Sequence, residues 1–128
     1  DGRMMPFEWI QVSNKEFVKF DGTDHHRDQF FPGAQDCAWD LAGLIIEFRL
    51  NKEKSDYLIQ TFAAKSEDDS IYTRIGYYAI AYLAFRLGLT SISDNIPDSF
   101  DRQGFESLAM QYKEMLRNEL KKQVQSQN

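Results

Sequence analysis

Gln35-Asp36-Cys37-Ala38-Trp39-Asp40-Leu41-Ala42-Gly43 is the stretch on which the fold of this 128-residue chain turns. From Asp36 to Leu50 the apolar residues Cys37, Ala38, Trp39, Leu41, Ala42, Leu44, Ile45, Ile46 and Phe48 fall on nearly every side of a helix. That marks a buried central helix and not an amphipathic surface one. Asp36 and Asp40 stand four apart, so they share a face at the helix start, where the macrodipole favours carboxylates. Asp36 reads as an N-cap. Asp40 lies between Trp39 and Leu41, and a carboxylate there must find donors. It is expected to be buried, accepting hydrogen bonds from backbone or side-chain donors near residues 1–8 or in the following loop.

Upstream, Phe7–Val12 and Glu16–Phe20 alternate around Ser13-Asn14-Lys15 and predict a hairpin over 7–20. Residues 21–35 carry Gly, Pro, two His and several Asp without a helical period, which predicts a loop. Downstream, residues 36–125 predict a helical bundle. Asn51 can cap a second helix running to Ala64. Ser66 with Asp69 resembles a capping box opening a third helix to Leu87, closed by Gly88. This third helix is thickly apolar past its first turn, apart from Arg74 and Arg86, and is expected to pack on more than one side. A fourth helix follows Ile96-Pro97-Asp98 and runs to Val124, with Phe105, Leu108, Ala109, Tyr112, Met115, Leu116 and Leu120 on its apolar face. The expected fold is mainly α with a small N-terminal β-hairpin, an α+β chain of four principal helices in a single domain, 1–128.

Composition narrows the function classes. Hydrophobic residues make up 42% and charged residues 27%, with ten Phe, six Tyr and two Trp, so the chain is neither disordered nor a linker. A single cysteine excludes an internal disulfide and a cysteine-based zinc site, and points to a reducing, cytoplasmic setting. The net charge of −5 has the wrong sign for a chain held to nucleic acid or an anionic membrane by its overall field, although it leaves room for a local basic patch. No apolar stretch is expected to reach the roughly eighteen residues a membrane span needs, and neither nucleic acid nor membrane is an expected partner. The opening Asp1-Gly2-Arg3-Met4-Met5-Pro6 reads as neither initiator nor targeting segment, so the chain is expected to be the C-terminal piece of a longer protein.

Candidate chemistry gathers in the first third, where Asp1, Glu8, Asp21, Asp24, Asp28, Asp36 and Asp40 fall. Carboxylates at strand ends and in loops suit Mg²⁺, which takes few protein oxygens. Asp24-His25-His26 resembles the metal triplet of the DHH phosphoesterases, but those enzymes need a parallel α/β sheet, and no βαβ unit is present. A stand-alone helical metal hydrolase would need His25 and His26 to bind metal, and adjacent side chains tend to diverge.

The order of parts resembles the C-terminal lobe of the aminoglycoside phosphotransferases and choline kinases, relatives of the protein kinases. Asp1 stands where their catalytic loop lies, a hairpin follows, Asp21 ends its second strand, and Asp36-Cys37-Ala38-Trp39-Asp40-Leu41-Ala42 matches their D-x-x-x-D-L-A helix start. The chain also resembles uncharacterised bacterial proteins with D-G-R-M near E-W and then Q-D-x-A-W-D-L-A-G. The resemblance implies a kinase-like C-terminal lobe, with Asp1 orienting the acceptor hydroxyl and Asp21 as the principal Mg²⁺ ligand. It makes Asp40, with Asp36, the structural anchor of the catalytic-loop backbone. The family's metal-binding Asn has no counterpart, since Pro6 stands at its position and Glu8 is the nearest substitute ligand. It implies Mg²⁺ and ATP as cofactors of a longer parent, a missing N-terminal lobe of the same chain as partner, and a small-molecule hydroxyl acceptor. The competing class is a non-catalytic pseudokinase or helical interaction module.

Overall fold

The computed structural model describes residues 2–20, 35–94 and 102–126. Asp1, Asp21, Asp24, His25, His26 and Asp28, most of the expected loop, and the segment around Ile96-Pro97-Asp98 lie outside the described residues. The chain is mainly helical with a small antiparallel hairpin, and it divides into two compact units, Asp1–Ile75 and Gly76–Asn128.

In the first unit, β1 (Trp9–Ser13) pairs with β2 (Glu16–Lys19), Trp9 opposite Lys19 and Ile10 opposite Val18. The first strand starts two residues later than the alternation suggests. Pro6 fixes its own φ and lacks an N–H, and residues 6–8 close instead into a 3₁₀ turn through the Glu8 amide bonded to the Met5 carbonyl at 3.0 Å. Ile10 and Val18 share the hairpin's outer face and are 53% and 46% exposed. On the other face Trp9 meets Phe48 edge-on, ring centroids 6.3 Å apart.

Helix α1 (Cys37–Glu47) forms where expected, capped by the Asp36 carboxylate, which accepts the Ala38 amide at 2.9 Å. Ala38, Trp39, Leu41, Ala42 and Ile46 are buried, while Cys37 at the helix start is exposed. The helix stops at Glu47 and not at Leu50. Arg49 adopts the left-handed conformation (φ 50°), with its amide on the Ile46 carbonyl and the Leu50 amide on the Ile45 carbonyl. Glycine usually marks that closure in a sequence, and Arg49 hides it. Helix α2 (Lys52–Ser66) starts on the Asn51 cap, whose Oδ1 accepts the Lys54 amide at 2.9 Å. It ends on a second left-handed residue, Glu67 (φ 56°).

Helix α3 (Ile71–Asp94) therefore begins five residues later than the Ser66 reading. Ser66 is the last residue of α2, its hydroxyl bonded back to the Phe62 carbonyl, and opens nothing. The helix also runs straight through Gly88. A single interior glycine costs about 1 kcal/mol, too little to stop it. The Thr90 and Ser91 hydroxyls return to carbonyls of the preceding turn at 2.8–3.0 Å. Nor is α3 covered all round, since Tyr72, Tyr77 and Ile92 are 52%, 69% and 62% exposed. Tyrosine tolerates such positions because its hydroxyl stays wet. Residues Ile71–Ile92, mean hydropathy 1.2, are by length and composition apolar enough to cross a membrane, so the expectation that no stretch reaches that length is corrected. Core helices of soluble proteins meet the same criterion.

In the second unit the remainder of α3 meets α4 (Arg102–Ser126) in opposed order, Gly76 beside Gln123 and Arg86 beside Tyr112, so the two run antiparallel. Arg86 donates to the hydroxyl of buried Tyr112 at 3.2 Å, and Gly76 lies so close to the Gln123 amide that a Cβ would displace it. Leu120 leaves the packing face expected for it and is 46% exposed.

Candidate functional site

Gly2 takes the left-handed φ of 83°, which glycine reaches without strain. Its peptide is then gripped from both sides by neighbouring residues of α1. The Gly2 N–H donates to Asp40 Oδ1 at 2.8 Å, and the Trp39 indole N–H donates to the Gly2 carbonyl at 2.9 Å. Asp40 is half-buried and Trp39 nearly fully buried. Asp40 thus reaches the backbone immediately after Asp1, within the span the sequence pointed to. Trp39 was missed as a gripping residue. An indole in an apolar run reads as core, and only the fold shows where its one donor goes.

Glu8 is 1% exposed and sits between two cations. Arg3 Nε lies 2.8 Å from Oε1, close but poorly aligned for a hydrogen bond, and Lys19 Nζ lies 3.3 Å from Oε2. The Met5 amide also donates to Oε2 at 3.3 Å. The guanidinium of Arg3 in turn lies 5.4 Å from the Phe7 ring centre. Lys19 reaches this site because the register sets it opposite Trp9, next to Glu8. With two cationic groups already on it, the Glu8 carboxylate does not fit a Mg²⁺ ligand, which would have to displace both. Among the described residues no group of three or more His, Cys, Asp or Glu gathers.

The third constellation was not expected at all. Arg74, in the first turn of α3, forks onto Asp36 through Nε at 2.8 Å and Nη2 at 3.2 Å. It also meets both oxygens of Asp68, and the Ser70 hydroxyl. Hydrogen bonds from Arg74, then from Ser70, hold the Asp68 carboxyl well below the usual carboxylate range. The same pairing with Asp68, then Asp36, pushes Arg74 above its ordinary value. All three side chains remain about a quarter exposed, so the cluster is a partly open clamp. Asp36 therefore caps α1 and ties its start to α3.

No family model matches this chain, and no match was found among curated proteins or among solved structures.

Proposed function

We propose that this chain is the kinase-like C-terminal lobe of an ATP-dependent phosphotransferase that, within a longer protein, moves the γ-phosphoryl group to a hydroxyl of a small molecule. The observation that supports it is the grip on Gly2 by Asp40 and Trp39. Phosphoryl transfer asks a protein mainly for positioning and charge neutralisation, so a catalytic carboxylate needs a rigid backbone beneath it. Asp1 orients the acceptor hydroxyl and takes its proton. Asp40 holds the adjoining peptide to α1, and Asp36 fixes the start of that helix. Mg²⁺, when bound, neutralises phosphate charge, and Asp21 is the residue left to hold it once Glu8 is committed to Arg3 and Lys19. ATP is held chiefly by the lobe expected upstream.

The second reading, a non-catalytic pseudokinase or helical interaction module, is favoured by that same commitment of Glu8 and by Pro6 in place of a metal-binding Asn. Titration of the longer parent with ATP and Mg²⁺, comparing wild type with Asp21→Asn, separates the two. Loss of metal-dependent nucleotide binding in the variant supports the enzyme, and equal binding in both leaves the module. The 128-residue chain by itself is expected to bind ATP weakly. Submicromolar affinity for it in calorimetry would refute the idea that an upstream lobe holds the nucleotide.

A further inference from the structure

Helix α4 carries two parallel rows in its C-terminal half. Leu116, Leu120 and Val124 recur every four residues, and Lys113, Arg117 and Lys121 recur with the same spacing beside them. Together they line a shallow groove of about 530 Å³. Leu120 and Val124 are 46% and 62% exposed. Each row spans about 12 Å, a little over two helical turns. Every charge in this groove is a cation. Lys113 and Lys121 have no ion-pair partner among the described residues, and Arg117 meets Glu114 at 3.6 Å with both side chains more than half exposed, a contact worth little.

Charge decides among the possible occupants. A second copy of this face would set cations against cations, which is costly at an interface. An anionic bilayer is an extended sheet of charge that meets the field of the whole chain, net −5, and neither row offers a Trp or Phe for the headgroup boundary. A single helix is narrow enough to feel only charges within a Debye length of about 8–10 Å, where Lys113, Arg117, Lys121 and Lys122 outnumber Glu114 and Glu119. The four-residue period of both rows is also the period by which helix ridges seat in helix grooves. We propose that this face of α4 docks an acidic amphipathic helix of a partner protein, one with an apolar row at four-residue spacing flanked by Glu or Asp. The apolar row holds the partner, and the cations set its register and speed its arrival.

The probe is a stapled synthetic helix with Leu at every fourth position beside a row of Glu, titrated by fluorescence anisotropy against the chain. Saturable binding is expected, at least fivefold weaker when salt rises from about 50 to 300 mM. The triple variant Lys113→Glu/Arg117→Glu/Lys121→Glu and the single variant Leu120→Asp should each weaken it at least tenfold. All four positions are on the surface, and circular dichroism checks that the fold persists. Binding unchanged by either variant, or none at about 200 μM chain, overturns the proposal. Tighter association with vesicles containing phosphatidylserine than with the peptide gives the face to a bilayer. Dimerisation abolished by Leu120→Asp gives it to a second copy.

Discussion

Two ion clusters within the first unit are mirror images in charge and opposites in environment. At the hairpin base a carboxylate, Glu8, lies between two cations, Arg3 and Lys19, and is 1% exposed. At the corner joining α2 to α3 a cation, Arg74, lies between two carboxylates, Asp36 and Asp68, with all three side chains about a quarter exposed. Attraction inside a buried cluster is screened little, and Glu8 and Lys19 have given up most of their hydration while Arg3 keeps 43% of its side chain in water, so losing the centre bears chiefly on Lys19. Where water enters, the same arrangement is screened and its loss is partly made good. Burial, more than the number of contacts, decides how much each cluster matters.

The sharpest way to break this comparison is Glu8→Ala. It removes the buried carboxylate that Arg3 and Lys19 both face, and is expected to destabilise the chain by about 3 kcal/mol in urea unfolding. A loss below about 1 kcal/mol would place Glu8 with the open clusters. Asp40→Ala comes next. It strands the Gly2 amide, and because Asp40 is only half-buried the expected cost is about 1–2 kcal/mol. The Gly2 amide should then exchange with solvent markedly faster in the variant, and an unchanged exchange rate would mean that the Gly2 backbone is held by other contacts.

At the open corner the effects shrink or change sign. Glu67 holds φ 56°, so Glu67→Gly should relieve backbone strain and raise stability by about 0.5–1 kcal/mol. A destabilised variant would show that the Glu67 side chain contributes more than its backbone costs. The smallest effect concerns acid. The pKa of Asp68 is lower in the folded chain than its ordinary 3.8, so its contribution is complete above that pH and fades as pH falls below it. Asp68→Asn should therefore be less stable than wild type near neutrality, and the gap should close on acidification below about pH 4. A gap that persists at low pH would assign the role of Asp68 to hydrogen bonding without charge.

How legible the molecule was depends on the range of each interaction. The caps at Asp36 and Asn51 were readable because their partners lie two or three residues away. The ends of α1 and α2 were not, because Arg49 and Glu67 occupy the left-handed positions where glycine would have announced them. Asp40 was singled out because a carboxylate in an apolar helix demands a donor. That the donor is Gly2, 38 residues away, with Trp39 completing the grip, could not be read from either segment.

By itself the sequence determined a mainly helical chain led by a hairpin, the burial of α1, and the two local caps, all consequences of side-chain periodicity and of hydrogen bonds that close within a turn. Only the tertiary structure decided which charge answers which. Arg74 spans 38 residues to Asp36, and Lys19 reaches Glu8 through strand register. It also decided that Leu120 leaves the packing face expected for it and stands with Val124 beside the three cations. The physical reason is that local structure is fixed by neighbours along the chain, whereas charge pairing and burial are fixed by neighbours in space.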